Sequence, residues 1–264
     1  MSLVFGALSP HPPLLIPNIG KENISRVEKT KIAMEELEKD LYITQPDTIV
    51  IISPHGQIYP EIFTINAHPE LNFDFKEFGD LVTIGKFTTD LSLIADIASA
   101  AKKTNKPVML QSDSSLDYGS SVPLFYLTKH MSGVKIIPIG YSGLDLKKHF
   151  DFGYLLKEIL MDTNKRVAVI ASGDLSHRLS NNSPAGFSPS GKKFDEAILN
   201  SLQSGNTAGI INLDEKMIIE AGECGLKSLM ILLGVLRNIN YNLKILSYEN
   251  PVGIGYLVAE FGID

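Results

Sequence analysis

Short runs that are apolar at almost every position alternate along this chain with longer stretches whose apolar residues recur at helical spacing. Val4 to Leu8, Thr48 to Ile52 and Val167 to Ala171 are runs of the first kind, the pattern of strands covered on both faces. Val27, Met34, Leu37 and Leu41 recur at a period of about 3.6 residues. That spacing predicts a helix over 22–43, with Ser25 and Glu28 at capping-box separation. Further helices are predicted over 89–104, 124–130 and 145–161 and in two or three segments of 192–238. The last of them, 225–237, is apolar on most faces and should be buried. Strands are predicted over 3–9, 48–53, 63–67, 108–110, 135–141, 167–173, 244–249 and 252–261. Residues 68–87 read as an excursion, and 113–123 and 181–191 as loops. The alternation implies one α/β domain over 1–264, with a largely parallel or mixed central sheet flanked by helices.

Composition narrows the class. The 264 residues are 44% hydrophobic and 20% charged, which is ordinary for a globular chain. A net charge of −6 and the lack of a basic run argue against nucleic acid as a partner. Apolar runs stop well short of a membrane span, and the N-terminus lacks the basic region of a signal peptide. The single cysteine, Cys224, excludes an internal disulfide framework and fits a reducing compartment. A cytoplasmic protein is the expectation, and homo-oligomerisation is compatible with it.

Candidate chemistry lies at strand ends. Three of the six histidines follow predicted strands: His11 and His55, each in a Ser-Pro-His turn, and His177 after Gly173-Asp174-Leu175-Ser176. The carboxyl ends of neighbouring parallel strands border one crevice, so three imidazoles there can build a metal or acid/base site. His11 and His55 are the metal-ligand candidates, their backbone stiffened by adjacent prolines. Glu223, just before the buried helix, is the expected third ligand, although it could instead cap that helix. Cys224 beside it is a softer competitor. His177 is the candidate acid/base, with Asp174 three residues upstream to orient it or bind solvent. The chain has no G-x-S-x-G, G-x-G-x-x-G, Walker-type or H-E-x-x-H motif. His68, His130 and His149 read as structural.

Five short motifs in order resemble the class III extradiol dioxygenase superfamily of LigB-like proteins. They are His11-Pro12-Pro13, Ile52-Ser53-Pro54-His55-Gly56, Leu116-Asp117-Tyr118-Gly119 with Val122-Pro123-Leu124, Ala171 to Arg178, and Glu220 to Gly225. The match is nearest to the LigB-like domain of AmmeMemoRadiSam system protein A and extends to the Memo branch. The resemblance implies Fe(II) held by His11, His55 and Glu223, with His177 as acid/base. Zinc and copper are the alternative metals, and the Memo branch keeps Cys224 in contention. The implied reaction is extradiol cleavage of a catecholic or related aromatic substrate by O₂. A Memo-like metal-binding or redox protein without ring cleavage is the alternative, and a radical-SAM partner follows from family association only. Tyr118 stands where ring-cleaving members often carry histidine, which weighs against catechol cleavage because a tyrosine is a poor base near neutral pH.

Overall fold

Alternate residues of a strand point to opposite faces of a sheet, so a strand that is apolar throughout needs cover on both sides. The computed structural model describes residues 2–263. Its central sheet is built from β1 (Leu3–Ser9), β2 (Thr48–Ser53), β3 (Phe63–Asn66), β6 (Val108–Gln111), β7 (Lys135–Gly140), β8 (Val167–Ser172), β9 (Tyr241–Glu249) and β10 (Tyr256–Ile263). The intervening β4 (Glu70–Phe75) and β5 (Asp80–Thr88) form a separate two-stranded sheet. Strand order in the large sheet is β6-β3-β7-β2-β8-β1-β10-β9. β7, β2, β8 and β1 form a parallel block, while β3 runs antiparallel to β7, and β10 antiparallel to β1 and β9. The fold is therefore a single α/β domain with a mixed sheet.

Both faces carry a core. Val50, Ile52, Val167 and Val169 pack with Ile97, Phe152, Leu156 and Met230 from helices Leu91–Lys103, Leu146–Asp162 and Leu226–Val235. Ile49, Ile51, Ala168 and Ile170, their neighbours along the same strands, pack on the other face with Met34, Leu37, Leu41 and Leu127 from helices Glu28–Thr44 and Tyr118–Leu127. The Leu226–Val235 helix is buried at nearly every position, as its composition predicts. Among the described residues no helix is long and apolar enough to cross a membrane.

Three local expectations are corrected. Residues 68–87 hold the β4–β5 hairpin, and the buried Leu71, Phe73 and Phe75 alternate with exposed neighbours. A helix begins at Tyr118 instead of 124, because the Asp117 carboxylate accepts the Ser120 N–H at 3.0 Å and caps it. The Ser25–Glu28 capping box does not form. Ser25 Oγ donates to the Glu22 carbonyl, a 3-10 turn spans Lys21–Val27, and the helix proper starts at Glu28 without a side-chain cap.

Candidate metal centre

β8 lies between β1 and β2, so the turns after three adjacent parallel strands meet over one edge of the sheet. His11 leaves β1, His55 leaves β2, and the segment Gly173 to His177 leaves β8. The two histidines face each other with their Nε2 atoms 2.9 Å apart. Cys224 Sγ lies 3.7 Å from His11 Nε2 and 3.6 Å from His177 Nε2. The donor atoms of His11, His55 and Cys224 all fall within 4.8 Å of one another, and so do those of Asp174, His177 and Cys224.

Close backbone approach brings Cys224 here. A Cβ on Gly173 would sit 2.1 Å from Gly225 Cα, so only glycine lets the two turns touch. The Cys224 and Gly225 amides then donate to the Asp174 carbonyl at 3.3 and 2.9 Å, and the Asp174 amide donates to Cys224 Sγ at 3.3 Å. Glu223 points elsewhere. Its Oε2 accepts the Leu226 N–H at 2.6 Å at the start of the buried helix. The third ligand expected from the sequence is thus placed as a helix cap, and the neighbouring thiol joins the two imidazoles. The signal was present in the sequence, since a negative charge just before an apolar helix is favoured by the helix dipole.

The His11 tautomer follows from a helix irregularity. Pro123 has no N–H, so the Gly119 carbonyl four residues earlier lacks its usual helical donor. Ser172 Oγ supplies one at 2.5 Å. Having spent its only proton there, Ser172 Oγ accepts from His11 Nδ1 at 2.9 Å. His11 Nε2 therefore presents a lone pair to the centre. Asp174 Oδ1 accepts the His11 backbone N–H at 3.0 Å and fixes the turn. Ser172 was not singled out in the sequence, because its role depends on a carbonyl from a distant helix.

His55 is held by a second relay. Ser53 Oγ accepts the His55 N–H at 3.2 Å and donates to Asp117 Oδ1. Tyr118, the residue at the departure from the ring-cleaving pattern, brings its hydroxyl within 2.9 Å of His55 Nε2. Burial pushes the Tyr118 phenol above its ordinary range, so the hydroxyl keeps its proton and acts as a donor. His177 is half-buried, its backbone N–H bonded to the Ala221 carbonyl at 3.2 Å. Ser176 Oγ donates to that same carbonyl at 2.8 Å and does not serve His177, so no serine dyad exists here. His130 pairs with Glu38 and His149 bonds the Asp145 carbonyl, both away from the centre.

Electrostatics favour neutral imidazoles. Burial lowers His11 to about 3 against a weaker opposing pull from Asp117, and lowers His55 to about 4 with help from His11. Burial also lowers His177, opposed by Asp174. Burial raises Asp174 to about 6, Glu223 to about 7 and the Cys224 thiol well above its usual value. Two neutral imidazoles beside a buried thiol fit a transition metal. With the His11 lone pair facing it, a His11 Nε2 to His55 Nε2 separation of 2.9 Å calls for a proton or a cation between the two nitrogens. Beside His55 a polar cavity of about 170 Å³ opens, lined by Gln57, Asn66, Gln111, Asp113 and Asp117.

Comparison with known proteins identifies a family and a shared fold. Residues 6–259 match the model of the catalytic LigB subunit of aromatic ring-opening dioxygenase. A Clostridium acetobutylicum protein, Protein CA_C1420, is 33% identical over 269 residues, covering 98% of this chain. The chain spans 58% of that relative's length. The crystal structure of an uncharacterized Escherichia coli protein, JW3007, superposes with a TM-score of 0.71 at 16% identity, covering 98% of this chain and 100% of its own, and so shares the fold. By the extent of the family match, this chain belongs to the family of the catalytic LigB subunit of aromatic ring-opening dioxygenases.

Proposed function

We propose that the protein is a metal-centred redox protein on the ring-opening dioxygenase fold, with His11, His55 and Cys224 as ligands and His177 as the proton-handling group. The observation that carries this reading is the convergence of the Cys224 thiol with the two Nε2 atoms, while the Glu223 carboxylate is committed to the Leu226 amide. A thiolate in place of a carboxylate moves metal preference from a facial-triad iron site towards copper, zinc or iron in softer company. When bound, the metal would supply Lewis acidity and, for iron or copper, one-electron chemistry.

The chain's own residues then divide the work. Ser172 keeps the His11 proton on Nδ1 and leaves Nε2 free to ligate. His177 Nε2 lies 3.6 Å from Cys224 Sγ, within reach of the thiol proton that metal binding must displace. Tyr118 offers a hydrogen-bond donor and no base. The adjoining cavity carries the polar groups of Gln57, Asn66, Gln111, Asp113 and Asp117 beside the apolar Leu116, Pro138 and Ile139, which supports a small polar substrate over a flat aromatic ring.

One observation favours a second reading. The matched family is described by ring opening. On that reading Fe(II) sits on His11, His55 and Glu223, and His177 is the base towards a catechol that reacts with O₂. Glu223 would first have to release the Leu226 amide. Metal analysis of protein purified without air, with oxygen uptake on a panel of catechols, separates the two. The expected result is bound metal with a sulfur-to-metal absorption band and no catechol-dependent uptake. Uptake that survives Cys224→Ser but not Glu223→Gln would overturn the proposal.

A further inference from the structure

A lysine beside the centre has no anion of its own. Lys227 stands three residues after Cys224, in the first turn of helix Leu226–Val235, and is half-buried. Its Nζ donates to the Ser142 carbonyl at 2.9 Å and lies 5.5 Å from the centre of the Tyr141 ring, with no ion-pair partner among the described residues. The two acids whose charge reaches it are committed to backbone amides, Glu223 to Leu226 at 2.6 Å and Asp145 to Lys148 at 2.8 Å. Two of its three N–H groups are thus left without a protein acceptor. The turn facing Lys227 is rigidly held. His149 is fully buried, and its Nδ1 donates to the Asp145 carbonyl at 2.7 Å, so its Nε2 accepts the Ser142 amide at 3.3 Å. Burial lowers His149 to about 4, which keeps it in that neutral form. Tyr141, one residue before Ser142, has a hydroxyl with no hydrogen-bond partner among the described residues. Burial raises the Tyr141 phenol, and Glu223 and Cys224 add to the effect, so the hydroxyl keeps its proton beside their turn. Tyr141 also follows Gly140, which pairs with Ser53 of β2 and lines the polar cavity beside His55.

We propose that Lys227 and Tyr141 bind a carboxylate group of the substrate, which makes the small polar substrate of this protein an organic acid. Three free donors, two on Lys227 Nζ and one on the Tyr141 hydroxyl, suit the two oxygens of a carboxylate. A phosphate asks for more donors than these. The nearby helix start cannot add them, because the Cys224 and Gly225 amides are taken by the Asp174 carbonyl and the Leu226 amide by Glu223. A carboxylate here also offsets the effect of burial on Lys227, since a neighbouring anion favours the charged ammonium. The pair approaches the centre from one side only. Tyr141 packs with the core on the face of helix Leu226–Val235, and Tyr118 with the core on the opposite face. An acid held by Lys227 and Tyr141 therefore enters across from Tyr118.

This inference rests on the proposed function for the place where substrate enters, and binding measured together with metal content separates the two. Acetate, glycolate and benzoate, each against its amide and with phosphate in parallel, are titrated into the full chain as purified and followed by ligand-observed NMR. At least one acid should bind about tenfold or more tightly than its amide. That preference should shrink to about twofold in Lys227→Gln, which keeps a donor for the Ser142 carbonyl, and should fall by about threefold in Tyr141→Phe, with metal content unchanged in both. Unfolding curves show whether each variant is folded, and either one that folds carries the test. No acid preferred over its amide, or phosphate bound more tightly than every acid, overturns the inference. So does a preference that survives Lys227→Gln but vanishes when a chelator removes the metal, which would assign the carboxylate to the metal and leave the proposed function standing. A preference that Lys227→Gln abolishes in protein that binds no metal supports the carboxylate site and overturns the proposed function alone.

Discussion

A carboxylate and a thiol side by side at positions 223 and 224 face opposite demands. The helix start at Leu226 needs an acceptor for its free amides, and Glu223 meets that need at 2.6 Å. Cys224 is left to face the histidines. Cys224→Ala should therefore lower metal occupancy at least tenfold, while Glu223→Gln should leave it near the original level, both read by metal analysis after dialysis. The reverse pattern would restore the carboxylate triad. Tyr118→Phe should act in the other direction. Its hydroxyl lies 2.9 Å from the nitrogen that would bind metal, so this contact must yield on loading. Removing a hydrogen bond of about 1 kcal/mol should tighten metal binding roughly fivefold in a competition titration. Ser172→Ala frees the His11 proton to move to Nε2, and should weaken binding by about 10-fold or more.

Elements set where these side chains meet. The crossing of the β8 turn with the turn before helix Leu226–Val235 depends on two glycines in contact. Gly173→Ala would drive a methyl to 2.1 Å from Gly225 Cα. Destabilisation of about 3 kcal/mol or more is expected in urea unfolding, together with loss of metal. The same β8 turn is held from behind by Asp195, on helix Pro189–Gln203, which accepts the Ser176 amide at 2.9 Å and the Tyr248 hydroxyl at 2.6 Å. Burial raises Asp195 from 3.8 to about 7. A raised folded value means the folded state holds the proton more tightly. Its contribution is fully present below pH 3.8, declines as pH rises, and is lost above about 7. Asp195→Asn has no such proton to lose. Relative to this variant the unaltered protein should therefore lose stability, by a few kcal/mol in order of magnitude, between pH 4 and 7. Urea midpoints for both proteins across that range check the sign.

The whole molecule couples the metal to folding. The proposed ligands come from positions 11, 55 and 224, on turns that meet only when β1, β8 and β2 are paired. An unfolded chain cannot bring them together, so binding must stabilise the native state. At free metal about 100-fold above the dissociation constant the gain is about 2.7 kcal/mol. For a chain of this size, removal by a chelator should lower the melting temperature by about 5–10 °C. An unchanged melting temperature would mean that the cluster does not bind the metal used.

The sequence alone determined the class of fold and the strand ends at which the candidate histidines lie. Strand periodicity and unbroken apolar runs are local properties, and burial on both faces leaves few residue types for β2 and β8. His11, His55 and His177 were legible for the same reason, since each follows such a run within a few residues. Legibility stopped where a choice depended on distant partners. The alternation in Leu71, Phe73 and Phe75 is short and lay within a segment of mixed polarity, so the β4–β5 hairpin emerged only with its pairing. Ser172 gained its role from Gly119, whose carbonyl Pro123 leaves without its usual donor more than fifty residues away in the chain. Between Glu223 and Cys224 the sequence ranked the carboxylate first, since a hard oxygen donor suits iron, and kept the thiol as the less likely ligand. The contact of Gly173 with Gly225 turns Cys224 towards the histidines and the open amide at Leu226 holds Glu223 at the helix start, and both depend on packing between segments distant in the chain.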